Sequence, residues 1–221
     1  MNPFRQMACL GLLILLLCCG IQFEREWMEN PQNRWRKDDE AEKTALEQYQ
    51  TQIETVWEEL VYFPVPESSV NQKAVIRFEN TWQKERHYGG KRKHEGIDLM
   101  AEPDKSGYFP VLSMTDGIIE QVGWLEKGGW RIGIRSMGGN YYYYAHFHSY
   151  IKDWKRGDPV KAGDVLGYMG DTGYGPEGTT GQFPVHLHLG IYLPAAESGE
   201  QAINPYWMLR YLESQKLSYI Y

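Results

Sequence analysis

Residues 185–193 read Val185-His186-Leu187-His188-Leu189-Gly190-Ile191-Tyr192-Leu193. Apolar and β-branched residues dominate the run, and on a strand successive side chains alternate, so His186 and His188 share one face. Such a pair offers either two metal ligands or a ligand beside a base. Working outward, the same texture recurs from about residue 75 in Gly96–Met100, Pro110–Met114, Gly117–Trp124, Trp130–Ser136, Tyr141–His146 and Val165–Met169. Short apolar runs separated by glycine and Asp/Asn turns predict a mainly β, antiparallel domain over residues 76–221. Asn204-Pro205 then opens a terminal amphipathic helix, with Trp207, Leu209, Tyr211 and Leu212 as its docking surface.

Toward the N-terminus the character changes. Residues 1–23 contain an almost wholly apolar run, Met7–Phe23, preceded by Arg5 and followed by Glu24, Arg25 and Glu26. As a helix it spans roughly 25 Å, just enough for a bilayer core. No small-residue cleavage site follows it, so it reads as a single-pass membrane anchor with the rest of the chain outside the cytoplasm. A lipoprotein signal ending at Cys19 and simple secretion are the competing readings, and both also place the chain outside. Residues 24–75 form a polar linker and a short helix, the latter marked by Leu46, Ile53 and Leu60 with Tyr49 and Val56 between them.

With 221 residues the chain holds one sizeable domain plus extras, and a net charge of -6 argues against a grip on nucleic-acid phosphates. Cys9, Cys18 and Cys19 all lie in the first apolar stretch, so the β domain has no thiolate and any metal there is held by histidine and carboxylate. The second telling stretch is His94-Glu95-Gly96-Ile97-Asp98. Gly96 and Ile97 favour a loop entering a strand, which must bend to bring His94 and Asp98 together. A catalytic zinc takes three protein ligands and leaves one position for water, which is the demand such a set meets.

The surrounding residues carry a resemblance. Tyr88-Gly89-Gly90-Lys91-Arg92-Lys93-His94-Glu95-Gly96-Ile97-Asp98, Tyr144-Ala145-His146-Phe147, Lys161–Gly170 and Val185-His186-Leu187-His188-Leu189 resemble, in order and spacing, the signatures of the M23 (lysostaphin-like, LytM-like) peptidases. The resemblance covers roughly residues 80–210. It implies an antiparallel, barrel-like domain of the duplicated-hybrid-motif type. It implies one zinc ion bound by His94, Asp98 and His188, with His146 and His186 acting on the attacking water and leaving group. Tyr88 stands where some members have a tyrosine that stabilises the oxyanion. The implied activity is endopeptidase cleavage of peptide cross-links or stems in bacterial peptidoglycan, at the membrane that anchors the chain. The alternative is a non-catalytic, membrane-anchored scaffold of the same fold that binds a partner protein across the envelope, as in sporulation.

One departure is visible: Gly173–Pro184 is a longer Gly/Pro/Thr loop than the short turn many members have before the final signature. Among other candidates, His87 and His148 read as surface residues. Tyr142 and Tyr144 share strand parity with His146 and are expected on its face, as walls for a substrate.

Overall fold

The computed structural model describes residues 31–88, 90–195 and 199–221. The expected membrane segment, 1–23, lies outside the described residues; among these, no helix is long and apolar enough to cross a membrane. The chain divides into two compact units, Met1–Thr51 and Gln52–Tyr221.

Helix α1 runs Pro31–Glu59 and so starts well before the short helix expected around residue 46. Pro31 suits a first helical position, and from there to Glu59 the chain has no further proline and no glycine and is rich in Glu and Gln, which favour helix without any apolar face. Lys43 and Glu47 add an i,i+4 ion pair. Of the expected apolar stripe, Leu46 and Tyr49 are exposed, while Val56 and Leu60 enter the core. Residues beyond the helix follow them inward: Phe63 and Val65 are fully buried, and the backbone of Val61 and Pro64 bonds to Met114 and Leu112. The compact unit therefore begins at Gln52, not at residue 76.

In chain order the strands are β1 (Glu67–Ser68), β2 (Val75–Arg77), β3 (Glu85–Arg86), β4 (Arg92–Lys93), β5 (Ile97–Glu102), β6 (Pro110–Leu112) and β7 (Gly117–Leu125). They continue as β8 (Gly129–Ser136), β9 (Tyr141–Tyr150), β10 (Pro159–Val160), β11 (Val165–Met169), β12 (His186–Ala195), β13 (Gly199–Ile203) and β14 (Ser218–Tyr219). Among the described residues the main sheet is antiparallel, in the order β10-β7-β8-β9-β12-β5-β2; β13 flanks β12, and β11 bridges β9 to β6. β3 and β4 form a hairpin of their own.

The sheet does not close, so the barrel-like expectation is corrected to an open, branching sheet. The reason lies in β9. β8 pairs with it as far as Phe147, while on the other edge β12 pairs with Tyr141–Ala145 and gives way to β11 from Phe147 to Tyr150. At the same point β9 shifts register against β8, opposite Arg131, between the pairs Ile132↔Tyr144 and Trp130↔Phe147.

One face of the sheet is the core. Ile97, Leu99, Ile132, Ile134, Leu187, Leu189 and Ile191 are fully buried on alternating positions, each worth about 1.5–3 kcal/mol relative to exposure. Helix α2 (Tyr206–Leu212) covers part of it through Met208, Leu209 and Leu212. Trp207 and Tyr211, expected to dock, are 69% and 58% exposed. On a seven-residue helix the face is set by which turn meets the sheet, and Met208 completes the i, i+1, i+4 stripe instead.

Candidate metal and catalytic site

The opposite face of the sheet carries a cavity of about 620 Å³. Its centre is built by strand register. Asp98, second residue of β5, and His188, third residue of β12, are direct cross-strand partners. Ala145 of β9 partners His188 from the other side. His94 comes from the loop before β5, turned inward by Gly96. A Cβ at Gly96 would stand 2.5 Å from the Leu189 carbonyl oxygen and 2.7 Å from the His188 ring, so only glycine lets this loop lie against β12.

Three donor atoms converge. His94 Nε2 lies 3.1 Å from Asp98 Oδ1 and 3.0 Å from His188 Nδ1, and His188 Nδ1 lies 3.0 Å from Asp98 Oδ1. Three N/O ligands about 2.0–2.1 Å from one tetrahedral centre stand roughly 3.3 Å apart, so the triangle fits a zinc-sized cation with little adjustment. The surroundings agree. His94 Nδ1 lies 3.1 Å from both the Thr81 carbonyl and Arg86 Nη2; donating to the carbonyl leaves Nε2 bare toward the centre. Arg86 Nη2 donates to Asp98 Oδ2 at 2.5 Å, which leaves Oδ1 as the inward oxygen. Burial alone would raise the Asp98 carboxyl, but hydrogen bonds from His188 and His94 hold it well below the usual carboxylate range. Burial pushes the His188 imidazole below its ordinary value, toward the neutral form that a ligand needs.

Two further imidazoles flank the triangle. His186 shares the face of His188, as strand alternation requires; its Nδ1 donates to the Pro184 carbonyl at 2.7 Å, leaving Nε2 bare 3.8 Å from Asp98 Oδ1. His146 Nδ1 donates to the Thr172 carbonyl at 2.6 Å, again leaving Nε2 bare. The two rings lie 4.6 Å apart. Burial, joined by the charges of His186 and His188, holds His146 well below its ordinary 6.5, so it is neutral at neutral pH.

His146 reaches this face by an irregularity. It has φ of +68°, a left-handed conformation unusual outside glycine, and with Ala145 it lies opposite the single residue Arg131. Alternation is thereby reset. Ala145 and His146 both line the cavity, while Tyr142 and Tyr144 are fully buried on the core face. The tyrosines of this strand at the cavity are Tyr141 and Tyr143, which corrects the parity expectation.

Residues 92–205 match the model described as Peptidase family M23. The chain belongs to peptidase family M23. Over 133 residues it is 43% identical to the L-Ala--D-Glu endopeptidase of Bacillus subtilis (strain 168), a match covering 60% of this chain and 39% of that relative. It is 40% identical to lysostaphin of Staphylococcus simulans over 83 residues, covering 37% of this chain and 16% of that one. The chain thus spans well under half the length of these curated relatives. Among solved structures, a protein from Ruminococcus gnavus described as a glycyl-glycine endopeptidase LytM superposes with a TM-score of 0.74 at 50% identity, covering 87% of this chain and 76% of that one.

Further residues complete the surroundings of the site. Tyr174 and Phe183, from the long loop between β11 and β12, wall the cavity; Phe183 meets the His146 and His186 rings at 4.6 and 4.9 Å. Tyr88 stacks flat on Tyr174 at 4.1 Å, and of the two it is Tyr174 that lines the cavity. Buried Thr172 holds the bulge: its hydroxyl donates to the Phe147 carbonyl and accepts from the Trp130 N–H. His148 is exposed, with Nδ1 at 3.1 Å from Ser106 Oγ.

Proposed function

We propose that this M23 chain is a zinc-dependent endopeptidase that cuts peptide bonds in bacterial peptidoglycan. The observation that carries the reading is the three-donor triangle of His94, Asp98 and His188, opening on a groove beside two bare imidazole nitrogens. The names of the relatives point to the same substrate class.

Zinc held by the triangle would polarise the scissile carbonyl and lower the pKa of its bound water to about 7. His146 and His186 supply what remains. A bare Nε2 takes the proton of the attacking water, and the resulting imidazolium returns it to the amine nitrogen as the C–N bond breaks. The carbonyl hydrogen bonds at Thr172 and Pro184 fix each ring's tautomer and orientation for that transfer. Water must be limited in number around such a relay, and Phe183 closes one side of both rings. Tyr88 is the resemblance-based oxyanion donor; its stacking partner Tyr174 is the one of the two that lines the cavity. The proposed place of action is the outer face of a bacterial cell membrane, with residues 1–23 as a single-pass tether.

Zinc content and muropeptide release by the full chain, beside His186→Ala, test the reading. Digestion by the wild type and none by the variant, with zinc in both, is the expected result. Zinc bound with no product from the wild type on any peptidoglycan would sink it and turn attention to a scaffold role.

A further inference from the structure

We infer that Arg131 is a specificity-determining residue that receives a free carboxylate on the substrate residue next to the scissile bond. The inference rests on the peptidase reading and names its substrate class: acidic stem peptides rather than uncharged glycine bridges.

The groove face of β8 presents Arg131, Gly133 and Arg135, with Ile132 and Ile134 turned to the core. The two arginines differ in their partners. Arg135 is clamped by Glu120 at 2.6 and 2.7 Å and by Glu200 at 2.5 Å. Arg131 has no carboxylate partner among the described residues; its one side-chain hydrogen bond is a long 3.4 Å contact from Nη2 to Gln121 Oε1. Its Nη1 is buried with no hydrogen-bond partner. A guanidinium carries five donors in a planar fork suited to carboxylate, so this one is under-used as it stands. The other carboxylates at the cavity do not compensate it: Asp98 is held by Arg86, Glu200 by Arg135, and Glu95 is exposed.

Position supports the same assignment. Arg131 lies opposite the Ala145–His146 bulge, on the same face as His188 and lining the same cavity. β8 and β12 are separated by β9 alone, so the two residues stand on strands about 10 Å apart. One substrate residue spans roughly 3.3–3.6 Å. A carboxylate on the residue adjoining the cut bond therefore falls between the metal triangle and the guanidinium. A glutamyl residue uses one of its two carboxyls to continue the chain and leaves the other free, whereas glycine offers none. Tyr141 and Tyr143 flank the position with hydroxyls that burial keeps protonated, the first pushed up to about 12. Neutral hydroxyls can donate to an anion without repelling it.

The test uses the zinc-loaded full chain, Arg131→Gln and Arg131→Lys with two synthetic stem peptides. The peptides differ only in whether the free glutamyl carboxyl is an acid or its amide. Charge-assisted pairing predicts a wild-type preference for the acid of roughly 10- to 100-fold in kcat/KM. The preference should fall toward one in Arg131→Gln and return in part in Arg131→Lys, with unchanged circular dichroism. A wild type without preference, or an undiminished preference in Arg131→Gln, overturns the assignment. If the wild type cuts neither peptide, the peptidase reading fails, and calorimetric binding of the intact peptides to the same three proteins still decides for or against Arg131.

Discussion

The groove has two sides built on different principles. On the sheet side, Asp98, His188 and Ala145 are consecutive partners across β5, β12 and β9, with His188 held in the ladder between the other two. On the loop side, Tyr174 and Phe183 are placed by ring contacts, one hydrogen bond from Arg92 to the Tyr174 hydroxyl, and a few turn bonds such as Gly173 to Thr179. A ladder fixes atoms to fractions of an ångström, as shared coordination requires, whereas an aromatic wall needs only shape. The difference teaches how the groove divides its work: the sheet holds charged and metal-binding groups in register, and the loop shapes the wall beside them.

The largest expected effect breaks the sheet side. His188→Ala removes the donor common to two edges of the triangle. Zinc stoichiometry by atomic absorption should fall toward zero and turnover should vanish. Full activity with zinc retained would mean the centre lies elsewhere. His146→Ala is expected to keep the metal and lose about 10²–10⁴ in kcat, since proton transfer is typically worth that much. A parallel loss of zinc would instead make His146 part of the metal-holding set.

On the loop side, Tyr174→Ala should alter KM by on the order of 10-fold while kcat stays within a few-fold, the size of one aromatic contact. A collapse of kcat alone would erase the division between the two sides and give Tyr174 the oxyanion role. The smallest effect lies at the rim of the sheet. Hydrogen bonding from Arg135 lowers the Glu120 carboxyl below its ordinary 4.5. Its stabilising contribution is thus present above 4.5 and is lost as pH falls through the lowered value. Being partly solvated, it amounts to about 1 kcal/mol or less. Thermal melts between pH 6 and 3 should show a slightly shallower decline in Glu120→Gln than in the wild type.

What could be read in advance followed the same division. The shared face of His186 and His188 follows from alternation alone, and the bend at Gly96 from the residue types between His94 and Asp98. The ordered motifs then pointed to the three residues whose donor atoms converge. Tyr142 and Tyr144 were misread because parity assumes an unbroken ladder, and nothing local announces the extra residue at Ala145–His146. Trp207 and Tyr211 were misread because amphipathicity does not say which face a short helix turns inward. Arg86, Thr172 and Arg131 depend on partners between 10 and 42 positions away, or on lacking a carboxylate. Such pairings exist only after folding.

The irregularity in β9 also acts as a ruler. Strand positions advance in steps of about 3.4 Å, and position 145 lies directly opposite His188. Without the additional residue, an imidazole at this point would sit squarely across from the ligand ring. With it, His146 is carried one notch further along, beside the centre instead of against it, while Phe147 keeps its place in the interior. The spacing between the proposed ligand and the proposed base is therefore set in whole residues. Deleting Ala145 would leave a tidier strand with its imidazole at the wrong graduation.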